Sequence, residues 1–261
     1  MTPVTRRVMT CVLALTVAGA VCAPKDAQAD MRALFYEYEA SDQWYWQLVP
    51  DAVKKASGET IQYELTTDAQ ADLTLANLRS YDMLLFGTHG IGGWGAYHLE
   101  GIEQDLIGYV AGGGFILVQT SDDAFYQGGM FPEELAMREA DDHDFEVTPD
   151  GEATGIFDTP NAIDDVIEDD SYLDVEDPWI VLATSADTGG PHTLLLRHGD
   201  GEYIVTSSRG EAEDQAAPNV PFVENVITYL VKRIRETRPV SPRGSLVVTW
   251  GALRSEDALL P

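Results

Sequence analysis

A strand–helix–strand pattern within residues 81–120 constrains the fold of this chain more than any other feature. Residues 83–87 are a short apolar run between turn residues, which is typical of a parallel strand buried on both faces. The apolar residues of the following segment recur at helical spacing and share one face: Leu99, Ile102, Leu106, Ile107 and Val110. Three glycines at 112–114 predict a left-handed helix end, and a second apolar strand begins at Phe115.

This βαβ unit predicts where a ligand site lies. Its crossover is expected to be right-handed, and ligands of such sheets bind beyond the carboxyl ends of the strands. Residues 89–95 and 120–126 follow the two strands, so we expect the site there.

Similar patterns before this unit predict an α/β protein. Strands are expected at 31–38 and 61–65, with a helix between them that begins after Asp42 and ends at Ser57. The order βαβαβαβ up to Thr120 predicts a flavodoxin-like, three-layer α/β/α fold with a mostly parallel central sheet.

The second half of the chain predicts fewer regular elements. A strand is expected at 179–183, and an antiparallel hairpin at 192–207 turns at an Asp-Gly pair. Helices are predicted at 132–140 and at 220–236, the latter with Pro221 at its start.

Residues 139–177 contain sixteen acidic side chains and no Lys or Arg. So acidic a segment is expected to run over the surface of the domain. Its apolar residues are the predicted anchors to the core: Phe145, Val147, Ile156, Phe157, Ile163, Val166, Ile167 and Tyr172.

The first 29 residues have the pattern of a signal peptide. Arg6 and Arg7 precede an apolar run at 8–21, and Ala27-Gln28-Ala29 is a cleavage motif. A membrane anchor is the alternative, although the run is shorter than the ~18 residues that a spanning helix needs. We therefore expect a secreted or periplasmic protein with one domain at 30–237, then a linker and β tail at 238–261, and no membrane span after cleavage.

The cysteines and the charge exclude several classes of function. Cys11 and Cys22 both lie in the signal segment, so the exported chain has no disulfide, thiolate metal site or cysteine nucleophile. The net charge of −28 excludes binding to nucleic acid or anionic membranes, which requires cationic side chains.

Two explanations fit the acidic composition. Most of the carboxylates can form a solvated surface, or some can bind a divalent cation. Four residues offer the hard oxygen ligands that Ca²⁺ prefers: Asp141, Asp142, Asp144 and Glu146. They match no EF-hand loop, and the five histidines show no metal-binding spacing. No resident cofactor is otherwise expected.

Several motifs resemble the class I glutamine amidotransferase-like superfamily, in particular its trehalose-utilisation (ThuA-like) branch. They are Gly87-Thr88-His89-Gly90 after a strand, the glycines at 112–114, and Gly155 to Asn161 before the strand at 179–183. The tail at 240–251 also resembles that of secreted bacterial proteins ending in a VSP-G-L--TWG pattern.

This resemblance implies a Cys-His-Glu triad in the enzymes of the superfamily, which this chain does not retain. Gln119-Thr120-Ser121-Asp122 stands where the cysteine turn would be, and only Glu211 persists in the segment that would hold the histidine and glutamate. Glutaminase chemistry needs the thiolate, so the sequence excludes it.

Candidate functional residues follow the predicted strands. Possible catalytic groups are His89, Ser121, Asp122, Asp123 and Glu211, and the predicted ligand contacts are Gly90, Gly92, Gly93, Trp94, Tyr126 and Arg209. Glycines let backbone N–H groups approach a ligand, and aromatic rings stack on sugars. The same residues also have structural explanations: the glycines can form tight turns, Ser121 can cap a helix, and the aromatic residues can simply pack in the domain.

Three functions follow from these residues. The first is binding of a small polar ligand, such as a carbohydrate, or of a protein partner at the strand ends. The second is hydrolysis of a sugar-derived or ester substrate, with His89 and Asp122 or Asp123 as acid and base. The third is a structural role in surface assembly.

Overall fold

The central strands of the protein are buried on both faces, as their apolar sequences require. In β3 (Met83–Phe86) and β4 (Phe115–Gln119) every side chain is buried. The computed structural model describes residues 31–37, 61–87, 98–119, 129–139, 145–164, 166, 170–173, 175–208 and 213–237. The predicted signal segment, the helix after Asp42 and the C-terminal tail lie outside these residues.

The main sheet confirms the predicted mostly parallel α/β fold. Within the described residues it has eight strands in the order β2-β1-β3-β4-β10-β9-β8-β6. The strands β2, β1, β3, β4 and β10 are parallel, and β9, β8 and β6 extend the sheet antiparallel. The remaining bounds are β1 Met31–Tyr36, β2 Ile61–Thr66, β6 Phe145–Val147, β8 Ile180–Ser185, β9 Pro191–His198 and β10 Gly201–Thr206.

Helices cover both faces of this sheet. In order they are α1 Ala69–Asp72, α2 Leu75–Leu78, α3 Glu103–Ala111, α4 Pro149–Thr154 and α5 Glu213–Thr237. The apolar side of α5 packs with Phe35, Leu85 and Leu117 on one face. Leu106 and Val110 of α3 pack on the opposite face. Successive strand residues thus supply alternate cores.

The predicted turn after α3 fits closely against the β9–β10 hairpin. Gly113 has a φ of 93°, a conformation that other residues rarely adopt. A Cβ at Gly201 would overlap the carbonyl oxygens of Gly114 and Val110. Glycine at these positions therefore allows the helix end and the hairpin to approach each other.

The helix predicted at 132–140 is wrong. Ala136–Glu139 is a strand, β5, which pairs antiparallel with β7 (Asp170–Leu173) in a separate two-stranded sheet. Leu135 and Met137, two residues apart, are both buried, as on one face of a strand. Pairing with a distant segment overrides the helix propensity of this sequence.

Helix α5 also differs from its prediction, because it begins at Glu213 rather than near residue 220. Pro221, which was predicted at its start, therefore lies inside the helix, as does Pro218. None of the helices in the described residues combines the length and the apolar character that a bilayer crossing needs.

The acidic stretch contributes regular structure as well as charge. It adds β6, α4 and β7, and four of its predicted anchors are buried: Ile156, Phe157, Val166 and Tyr172. Phe145, Val147 and Ile163 are partly buried against the same core, whereas Ile167 lies outside the described residues.

A buried asparagine of α5 holds this stretch to that helix. Asn225 is fully buried, and its Nδ2 donates to the carbonyl oxygens of Ile156 and Asn161, each at 2.7 Å. Its Oδ1 accepts from the backbone N–H of Asn161 at 3.0 Å. One side chain therefore satisfies the backbone of a turn that has no strand partner.

Replacing Asn225 by Ala should lower the free energy of unfolding by about 2–4 kcal/mol, because several buried polar groups lose their partners together. Urea unfolding of the full chain measures this loss. Asn77→Ala is the matched control, since Asn77 is half-buried and donates one hydrogen bond, to the carbonyl of Asp72 at 2.7 Å. Equal losses in the two variants would contradict the anchoring role.

Candidate functional site

Buried polar side chains concentrate at the carboxyl ends of the parallel strands. The strand centres are apolar, and the polar residues appear where each strand stops. We call the following residues the polar edge: Glu37, Gln119, His192, Thr193, Thr206, Ser207 and Ser208. Each of them is no more than 2% exposed, so they form the floor of this edge rather than its surface.

The sheet topology brings these residues together. Glu37 follows β1, Gln119 ends β4, and Thr206 ends β10, whose partner β4 is parallel to it. Strand β9 runs the other way, so its first residues, including His192 and Thr193, reach the same edge. Residues far apart in the sequence therefore share one end of the sheet.

A hydrogen-bonded pair joins β4 to the end of β10. Gln119 Nε2 donates to Ser208 Oγ at 3.1 Å, across 89 residues of chain. The backbone N–H of Ser208 donates to Thr206 Oγ1 at 3.3 Å. These bonds hold the segment after β10 against the end of β4.

A second chain of contacts runs from β10 to β9. Thr206 Oγ1 lies 3.2 Å from Thr193 Oγ1, and Thr193 Oγ1 lies 2.8 Å from His192 Nδ1. The imidazole therefore has its Nδ1 fixed by a hydroxyl, which orients the ring. A histidine held in this way is a potential proton carrier or ligand contact.

Ser207 differs from its neighbours. Its backbone N–H donates to the carbonyl oxygen of His192 at 3.1 Å, but within the described residues its Oγ has no hydrogen-bond partner. A buried hydroxyl without a partner costs free energy. A buried polar group of this kind usually forms its hydrogen bond with a solvent molecule or a ligand.

The chemistry of the polar edge suits neutral hydroxyl-bearing groups. Its described members supply one carboxyl, one amide, one imidazole and four hydroxyls, and include no Lys or Arg. Its carboxyl and amide oxygens accept hydrogen bonds from hydroxyl groups, and its own hydroxyls and amide N–H groups can donate to hydroxyl oxygens.

All eleven residues proposed from the sequence as catalytic or ligand-binding lie outside the described residues. They belong to three segments, 88–97, 120–128 and 209–212. The residues from which these segments continue are Gly87, Gln119 and Ser208, at the ends of β3, β4 and β10. Those three strands are neighbours in the sheet.

The proposed Ca²⁺ ligands Asp141, Asp142 and Asp144 also lie outside the described residues. Glu146 is described and is exposed in β6. The part of the chain that the structure describes contains no group of three or more potential metal ligands.

The sequence did not identify the polar edge as a cluster. His192 and Thr193 read as ordinary hairpin residues, and Gln119 as the last residue of a strand. The signal that could have found them is a polar residue at the end of an apolar run, on a strand whose pattern predicts burial on both faces.

No protein-family model and no curated protein matches the sequence. Solved structures match its fold. A ThuA-like protein from Bacteroides uniformis ATCC 8492 has a TM-score of 0.54 and 12% identity, covering 80% of this chain and 95% of that chain. A cytoplasmic protein from Salmonella typhimurium LT2 has a TM-score of 0.52 and 14% identity, covering 80% of this chain and 100% of that chain.

The chain has the fold of these proteins. A second cytoplasmic protein from Salmonella typhimurium gives the same result, with a TM-score of 0.51 at 10% identity over 77% of this chain and 98% of that one. Identities this low establish architecture and no activity. The expected flavodoxin-like α/β fold is therefore confirmed.

Two neighbouring serines give a test of the polar edge. Ser208→Ala removes the acceptor of a buried hydrogen bond and should lower the free energy of unfolding by about 1 kcal/mol. Ser207→Ala removes an unpartnered hydroxyl and should change it by less than about 0.5 kcal/mol. Urea unfolding measures both. A larger loss in Ser207→Ala than in Ser208→Ala would show that the Ser207 hydroxyl has a structural partner.

Proposed function

We propose that this protein is an exported binding protein that holds a small, hydroxyl-rich ligand of the carbohydrate class at the polar edge. The observation that carries the proposal is the buried polar floor at the carboxyl ends of adjacent parallel strands. This is the position at which open α/β sheets bind ligands. The signal-peptide pattern at residues 1–29 supports export.

The composition of the floor supports a neutral ligand. Glu37 and Gln119 are buried at the ends of β1 and β4, where they offer carboxyl and amide oxygens. The sequence also predicts Trp94 and Tyr126 as ligand contacts. Hydrogen-bonding groups together with aromatic rings are the combination that recognises a sugar.

Catalysis of amide transfer is not part of this function. The protein has two cysteines, Cys11 and Cys22, both ahead of the first strand. Gln119 ends β4, and the next residues are Thr120 and Ser121. The position that carries the nucleophile in the amidotransferases therefore has no thiol.

Thermal unfolding in the presence of trehalose, glucose, galactose and myo-inositol tests the proposal. A ligand at one hundred times its Kd stabilises the folded state by ~2.7 kcal/mol. For a domain of this size that raises Tm by roughly 5–10 °C. We expect at least one of these compounds to give such a shift with the full chain.

Ser207→Ala and Trp94→Ala should reduce the shift, and Ser80→Ala is the matched control. Ser80 is exposed, and its hydroxyl donates to the backbone carbonyl of Asn77, away from the polar edge. Absence of a shift with every compound overturns the proposal, as does a shift that Ser80→Ala reduces as much as Ser207→Ala.

Two further variants separate binding from hydrolysis. If the protein is a hydrolase, incubation with sugar esters or glycosides releases product, and His89→Ala and Asp122→Ala abolish the release. Our proposal predicts ligand-dependent stabilisation without turnover. Turnover lost in both variants would replace it with the hydrolase.

A further inference from the structure

A groove of about 300 Å³ lies on the opposite side of the domain from the polar edge. Helices α4 and α5 form its walls, and β8 and β9 form its floor, near the amino end of β10. Its lining residues are Asp150, Ala153, Thr154, Ile180, Leu182, Leu195, Arg197, Tyr229, Lys232, Arg233 and Glu236. We call it the α4–α5 groove.

A buried carboxylate organises one end of this groove. Glu202 is 2% exposed, and it accepts hydrogen bonds from Tyr229 Oη at 3.0 Å and from Arg233 Nη2 at 2.6 Å. Burial and the neighbouring Glu202 carboxylate raise the pKa of Tyr229 to about 12. The tyrosine is therefore a fixed neutral donor, and Arg233 is committed to Glu202.

Two other cations of the groove keep donors that the protein does not use. Arg197 approaches Glu202 only through Nε, at 3.5 Å, and its terminal nitrogens have no partner among the described residues. Lys232 is exposed and has no partner there either. Arg197 and Lys232 therefore both keep N–H donors for a ligand, in a chain with 16 basic residues against 44 acidic ones.

The two exposed carboxylates of the groove differ in whether the protein provides a hydrogen-bond partner. Glu236 accepts from Arg233 Nη1 at 2.7 Å and is neutralised by it. Asp150, on the α4 wall, is exposed and has no partner among the described residues. The groups with unused donors or acceptors are therefore Arg197, Lys232 and Asp150.

An apolar floor lies beneath these charged groups. Leu182 and Leu195 are buried, and Ile180 is half-buried, in the strands beneath the groove. The volume is at the lower end of the ~300–1,000 Å³ that small-molecule sites occupy. A ligand that fits must be small, with an apolar body and charged groups of both signs.

We propose that the α4–α5 groove binds an α-amino acid with an apolar side chain. Arg197 and Lys232 bind its carboxylate, Asp150 binds its ammonium group, and the side chain packs on Leu182 and Leu195. Charge-assisted hydrogen bonds of this kind are stronger than those between neutral groups. The site is independent of the polar edge, so either can fail without the other.

Three probes of one shape test each part of this site. L-Leucine carries both charges, 4-methylpentanoate carries the carboxylate alone, and 3-methylbutylamine carries the ammonium alone. Titration of the full chain, followed by NMR shifts of amides in β8, β9 and α5, gives each affinity. We expect leucine to bind most tightly, the acid about tenfold more weakly, and the amine weakest of all.

Charge-removing variants assign the contacts. Arg197→Gln and Lys232→Gln should each weaken leucine and 4-methylpentanoate by about tenfold, whereas Asp150→Asn should weaken leucine alone. Arg79→Gln is the control, because Arg79 is exposed at the end of α2 and its loss changes the net charge equally. All four side chains are exposed, so folding should be retained.

Three outcomes would overturn the proposal. One is the absence of shifts in β8, β9 and α5 with all three probes. Another is an equal effect of Arg79→Gln and Arg197→Gln, which would mean that only net charge matters. The third is equal affinity for leucine and 4-methylpentanoate that Asp150→Asn leaves unchanged, which would mean that the ammonium group is not recognised.

Discussion

The burial of the central strands on both faces is the constraint on which the rest of this structure depends. Strands β3 and β4 have helices or loops over each face, so their side chains must be apolar and their backbone groups must pair within the sheet. Polar residues are then admitted only where the strands stop. The polar edge is a direct consequence, since Gln119 and Thr206 are the last residues of β4 and β10.

The acidic stretch fits this domain because its charge and its apolar residues are separated along the chain. Ile156 and Phe157 enter the core, whereas Asp150 and Asp158 remain exposed. Asn225 provides hydrogen-bond partners for the backbone of the turn from Ile156 to Asn161 without adding charge. A segment whose composition resembles disorder is thus held by apolar contacts, by strand pairing and by hydrogen bonds such as those of Asn225.

The sequence predicted those parts of the fold that are determined by residues close together in the chain. The apolar runs of β3 and β4, the glycines before Phe115 and the Asp-Gly turn of the β9–β10 hairpin each specify their own structure. Strand β5 could not be predicted, because only its pairing with β7, more than thirty residues later, makes it a strand. The polar edge was missed for the same reason: Gln119 and Ser208 meet only through the sheet topology.

Strand β10 connects two ends of the domain that differ in chemistry. Glu202 near its start is a buried carboxylate, stabilised by Arg233 and Tyr229 from α5. Burying an ion pair rarely adds much stability over an apolar pair, so the main effect of this pair is to fix the positions of the groups around it. Here that geometry includes Arg197, whose Nε faces the carboxylate while its other nitrogens remain available. At the other end, Ser207 and Ser208 are neutral and hydroxyl-bearing. One strand therefore carries a charged end suited to ionic ligands and a neutral end suited to hydroxyl groups.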